Sequence, residues 1–103
     1  MAGWTTVGNT QELGPGESKA VTVEGKRIAL FNVEGTYHAI DDACPHRGGP
    51  LSEGEIEGSV VICPWHTARF DVTTGQVLSP PASRGVACYK VAVEGSQIRL
   101  ELP

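Results

Sequence analysis

Three strand-like runs in this chain close on the same tripeptide, Val23-Glu24-Gly25, Val33-Glu34-Gly35 and Val93-Glu94-Gly95, and a fresh run follows each directly. Glycine at such a point supplies the positive φ of a tight hairpin. The runs themselves, among them Ala20-Val21-Thr22-Val23, Ile28-Ala29-Leu30-Phe31 and Val91-Ala92-Val93, are short, β-branched and alternating, and helical periodicity is weak throughout. An all-β chain is expected, with strands near residues 3 to 7, 19 to 24, 27 to 33, 36 to 40, 59 to 62, 69 to 72, 86 to 93 and 97 to 102. That number suits a small antiparallel sandwich or barrel. The three tripeptides are turn chemistry and not a repeat architecture.

At 103 residues the chain is expected to form one domain, 1-103, too small to hold a nucleotide-binding domain beside a second catalytic one. A role that depends on partner proteins gains weight. Eight Lys plus Arg against twelve Asp plus Glu give a net charge of -4, which opposes attraction to nucleic acid or anionic lipid and favours a basic-surfaced protein partner. No run of apolar residues is long enough to span a membrane, and residues 1 to 20 lack a basic segment followed by an apolar one, so a soluble cytoplasmic protein is expected. Three widely separated cysteines make a poor disulfide framework and point to a metal site or to structural thiols.

Two stretches break the β rhythm, Asp41 to Glu57 and Pro64 to Ala68, and both are rich in Cys, His, Pro and Gly. Irregular loops on a β scaffold are where function is usually carried. They contain Cys44-Pro45-His46 and Cys63-Pro64-Trp65-His66, so four potential ligands arrive in two chelating bites. Thiolate and imidazole suit zinc or iron. Structural zinc sites favour pairs of like ligands, whereas each bite here mixes one Cys with one His, which favours an iron-sulfur centre over a zinc-stabilised interaction module.

The segments Cys44-Pro-His-Arg-Gly-Gly-Pro-Leu and Cys63-Pro-Trp-His-Thr-Ala-Arg-Phe-Asp resemble the two ligand boxes of Rieske-type ferredoxins, the ferredoxin components of aromatic-ring dioxygenase systems. The likeness runs over about residues 40 to 83 and includes Ser79-Pro80-Pro81-Ala82, similar to the family's proline loop. It implies a small Rieske-type all-β fold with a cluster-binding loop subdomain at about 41-83, and one 2Fe-2S cluster with Cys44 and Cys63 on one iron and His46 and His66 on the other. Charge explains the mixed set: two ferric ions, two sulfides and two thiolates sum to zero with neutral imidazoles, whereas four thiolates leave a dianion that takes an electron less readily.

High-potential members carry an extra Cys in each box, joined as a disulfide, and Ser and Tyr hydroxyls that donate to cluster sulfurs. The corresponding residues here are Gly49, Trp65, Ala68 and Phe70, so a low-potential centre is expected. Thr67 stands where the family usually has Gly, and is strained if that position needs a positive φ. Cys88 is expected to be a buried small hydrophobe and His38 a half-buried strand residue. Trp65 is either a docking contact or loop packing. Glu53, Glu55 and Glu57, with Asp41 and Asp42, form either a docking face or plain solvated surface.

The resemblance implies a carrier that takes single electrons from an NAD(P)H-dependent reductase and hands them to a terminal oxygenase, and a soluble carrier that must dock twice is expected to be a monomer. Two features agree. Gly14-Pro15-Gly16 is followed by Lys19 where a dinucleotide fingerprint needs a third Gly, and with His46 and His66 used only His38 remains for any mononuclear iron site. The related alternative is the small subunit of a nitrite-reductase-type complex.

Overall fold

The structure, a computed structural model, describes residues 3–44, 48–65, 67–79 and 84–102. Its strands in chain order are β1 (Gly3–Asn9), β2 (Ser18–Val23), β3 (Lys26–Val33), β4 (Thr36–Asp41), β5 (Glu55–Glu57), β6 (Val60–Ile62), β7 (Arg69–Asp71), β8 (Val77–Ser79), β9 (Cys88–Glu94) and β10 (Gln97–Leu102). They form a six-stranded sheet in the order β1-β10-β9-β4-β3-β2 and a four-stranded sheet in the order β5-β6-β7-β8, antiparallel throughout. The larger sheet is nearly closed. Lys19 Nζ on edge strand β2 lies 3.3 Å from where a Cβ on Gly8 of edge strand β1 would stand.

Two of the expected hairpins form as read. Glu24-Gly25 (φ 51 and 80) joins β2 to β3, and Glu34-Gly35 (φ 53 and 92) joins β3 to β4, both residues positive as in a type I′ turn that matches strand twist. The third is displaced by one residue. Glu94 still pairs with Gln97, so Gly95-Ser96 makes the turn, and Gly58-Ser59 repeats that arrangement between β5 and β6. The three-residue strands β5 and β8 were not expected: β5 lies inside the stretch read as irregular, and β8 lay in none of the expected runs.

Burial on both faces of β3 organises the molecule. Ile28 and Leu30 point into the curled sheet and pack with Leu13, Ala39, Ile98 and Leu100. Ala29 and Phe31 point the other way, into a second core with Ile40, Leu51, Val61, Phe70 and Val72 that includes Cys44 and Cys63. This follows from the two-residue period of a strand. Phe31→Ala would open a cavity in that second core at a cost of about 3–5 kcal/mol.

Strand β9 pairs with β4 at only Ala39↔Tyr89 and Ile40↔Cys88, and the seam is extended by Asp41 N donating to Ala87 O at 2.9 Å. Beyond it, segment 84–87 crosses the turn after β7, where Val86 N donates to Gly75 O at 2.8 Å and a Cβ on Gly75 would meet Val86 O at 2.1 Å. Only glycine allows that crossing. Cys88 corrects an expectation: it begins β9 on the outward face and is exposed, while Tyr89 and Val91 turn inward. His38, half-buried on β4, is where it was expected. Among the described residues no helix is long and apolar enough to cross a membrane.

Candidate metal centre

Both cysteines sit where a loop is pinched shut. After β4, Cys44 N donates to Gly49 O at 2.9 Å and Gly48 N to Cys44 O at 2.6 Å, with Ala43 bridging Pro50. In the β6–β7 connection Cys63 N donates to Ala68 O at 2.7 Å. The two loops meet in the second core, where the thiols lie buried against each other. Burial pushes the Cys63 thiol up, the Trp65 backbone N–H pulls it down, and the Cys44 thiol beside it pushes it up again. His46 and His66 lie outside the described residues, as do Pro80, Pro81 and Ala82 of the proline loop.

A carboxylate closes the first loop. Asp42 is 1% exposed; its Oδ2 accepts from Arg27 Nε at 2.5 Å and its Oδ1 from Ser52 N at 2.7 Å. Burial raises the Asp42 pKa, but the bonds from Ser52 and Arg27 outweigh it and hold the group below the usual carboxylate range. Asp41 is also committed, accepting from Tyr89 Oη at 2.5 Å and Ala87 N at 3.2 Å. Both aspartates are thus committed to bonds within the fold. Glu53, Glu55 and Glu57 stay exposed, Glu57 with Arg69 Nη1 at 3.3 Å. Nothing in the linear order signalled the Arg27–Asp42–Ser52 link, because its partners come from three separate segments.

Gly49 and Trp65 face each other across the two loops: a Cβ on Gly49 would meet Cys63 Sγ at 2.9 Å and Trp65 Cγ at 3.0 Å. Trp65 therefore packs on the loop and still leaves 50% of its surface exposed. Ala68 and Phe70 are fully buried in the core that holds both thiols, and neither has a hydroxyl to offer. Thr67 has φ 64, the left-handed conformation anticipated for a glycine position. A cleft of about 480 Å³ runs past Cys44, lined by Asp41, Ala43 and the 84–87 segment.

A nearly closed β scaffold that holds two cysteine-bearing loops against each other is the build of a small iron-sulfur carrier. Residues 3–90 match the Rieske 2Fe-2S domain, and the chain belongs to that family. It is 38% identical over 99 residues, 96% of this chain and 95% of the relative, to the ferredoxin component of a naphthalene 1,2-dioxygenase system of Pseudomonas aeruginosa. Among solved structures it is similar to the ferredoxin of carbazole 1,9a-dioxygenase from Nocardioides aromaticivorans, at 30% identity and a TM-score of 0.90 over 94% of this chain and 95% of that one. A complex of reduced oxygenase and oxidised ferredoxin in carbazole 1,9a-dioxygenase contains a chain of the same fold, at 30% identity and a TM-score of 0.89, covering 94% of this chain and 91% of that one. The cofactor is accordingly one Rieske-type 2Fe-2S cluster, and the zinc reading gives way. The donor chemistry fits it: two buried thiols from separate loops lie in one core, and Gly49 leaves the side of Cys63 Sγ clear.

Proposed function

We propose that Cys44 and Cys63 hold one iron of the cluster and His46 and His66 the other, in a single Rieske domain that shuttles electrons from an NAD(P)H-dependent reductase to a terminal aromatic-ring-hydroxylating oxygenase. The cluster, when bound, accepts and returns one electron. The observation that carries the reading is the contact of Cys44 with Cys63, brought from two loops into one buried core. The chain's own part is to exclude water from the sulfur side, to donate the Trp65 backbone N–H to Cys63, and to present the half-exposed Trp65 ring beside the site. The naphthalene and carbazole relatives, ferredoxins by name, support the oxygenase as acceptor. Acting as a monomer in the cytoplasm suits a carrier that offers one tip to two partners in turn.

Anaerobically purified protein tests this. It should be red-brown, with two irons and two sulfides per chain, and His46→Ala and His66→Ala should each abolish stable loading while the strands stay folded. A colourless protein with one zinc, or either histidine variant keeping the full cluster spectrum, overturns the ligand set. Reduced protein mixed with a naphthalene-type terminal oxygenase should be reoxidised in a single turnover.

A further inference from the structure

We propose that Asp42 is a positioning residue for Cys44 and that its ion pair with Arg27 sets the redox poise of the centre. The inference deepens the reading above and rests on Cys44 being a ligand.

Asp42 fastens both ends of the loop that carries Cys44, through its backbone and through its carboxylate. At the outgoing end, Asp42 N donates to Arg27 O at 3.1 Å, which fixes the exit from β4 against the start of β3. At the returning end, Leu51 N donates to Asp42 O at 2.7 Å and Ser52 N donates to Asp42 Oδ1 at 2.7 Å. The return is tied down once more by Ser18 Oγ, which donates to Ser52 O at 2.6 Å from β2. One residue thus refers both ends of this loop to the larger sheet, and groups that hold a ligand loop tune the metal as well as orient it.

A buried carboxylate also does something that an amide would not. Two residues from Cys44, in a site almost closed to water, its negative charge opposes the arrival of an electron. Arg27 offsets that charge through Nε at 2.5 Å, from a side chain that is itself 57% exposed. Removing either partner should loosen the loop, but the two removals should push the potential in opposite directions. A purely mechanical role has no such signature.

The test uses cluster-loaded protein as wild type, Asp42→Asn, Arg27→Gln and the double variant, with far-UV circular dichroism to check the fold. Two quantities are read: the rate of iron release to excess chelator, and the midpoint potential by protein-film voltammetry. Asp42→Asn should release iron about tenfold faster, because the amide sets N–H donors against Arg27, and its potential should rise. Arg27→Gln should release iron about threefold faster with a lowered potential. In the double variant the potential should return toward wild type while release stays as fast as in Asp42→Asn. Release within about twofold of wild type in both single variants overturns the proposal, and so do potentials that move together. If Asp42→Asn does not fold, Arg27→Gln decides alone, since its side chain lies largely at the surface: unchanged release or an unlowered potential overturns the proposal. A wild-type chain that takes up no cluster overturns the Cys44 reading and this inference with it, whereas a loaded wild type with unaltered variants overturns only the role of Asp42.

Discussion

Gly49 and Trp65 occupy facing positions, close enough that a Cβ on Gly49 would come within 3.0 Å of the indole Cγ. These are the positions where the high-potential branch of the family is expected to place a disulfide, and here they hold a bare backbone and an exposed ring. With Ala68 and Phe70 buried beside the thiols, none of these four side chains offers a hydroxyl to the cluster. The midpoint potential should therefore lie near the lower end of the Rieske span, at about -150 mV. Ala68→Ser together with Phe70→Tyr should raise it. Protein-film voltammetry checks both, and a wild-type value well above zero at neutral pH would sink the assignment.

Thr67 holds φ 64 with a β-branched side chain. Left-handed backbone at a non-glycine residue costs about 1–3 kcal/mol, and Thr67 also has interactions of its own. Thr67→Gly should then stabilise the loaded protein by about 1 kcal/mol, read from the midpoint of guanidinium unfolding. A loss of stability would mean that those interactions outweigh the strain.

Asp71 contributes to the acid limb. Its side chain accepts from Thr73 Oγ1 at 2.6 Å and Thr73 N at 2.8 Å, and these bonds, helped by the charge of His38 and resisted by partial burial, hold its pKa below the usual value. A folded pKa below the unfolded one stabilises above the unfolded pKa of about 3.9 and is lost as pH falls through the folded value. Wild type should exceed Asp71→Asn in urea midpoint at pH 7, and the gap should narrow by pH 3. An equal gap at both pH values would assign the effect to something other than ionisation.

Charge on the β5 edge should steer partners. Glu53 and Glu55 are exposed without an ion-pair partner among the described residues, whereas Glu57 faces Arg69. Reduction by the reductase, followed by stopped flow, should slow as ionic strength rises past about 0.15 M, where the screening length is about 8 Å. Glu53→Gln with Glu55→Gln should reproduce part of that slowing, and Glu57→Gln less of it. A rate flat with salt removes the acidic face.

The hairpins at Glu24-Gly25 and Glu34-Gly35 could be read directly because turn chemistry is local, and of the two cysteine-histidine bites the structure brings Cys44 and Cys63 into one core while His46 and His66 lie outside the described residues. Val93-Glu94-Gly95 misled because the same three residues serve a turn that starts one residue later; what differs is which residue first takes a positive φ. Strand β5 was missed because Glu55-Ile56-Glu57 offers one apolar residue between two charges, and it is its pairing with β6 that makes it a strand. Cys88 looked buried because Val86-Ala87-Cys88-Tyr89 reads as one run, but pairing to β4 begins only at Cys88 and sets its face outward. Asp42 was out of reach of any linear reading, since its worth depends on Arg27 and Ser52 arriving beside it.

Strand β3 has no outer surface between Ile28 and Phe31: each residue belongs to one core or the other, and all four are fully buried. The redox tip is thus not a detachable module. Grafting residues 41–83 onto a foreign barrel would leave Phe70 and Val61 facing a wall that lacks Ala29 and Phe31, so an engineer who wants to move this centre must carry the β3–β4 hairpin along with it.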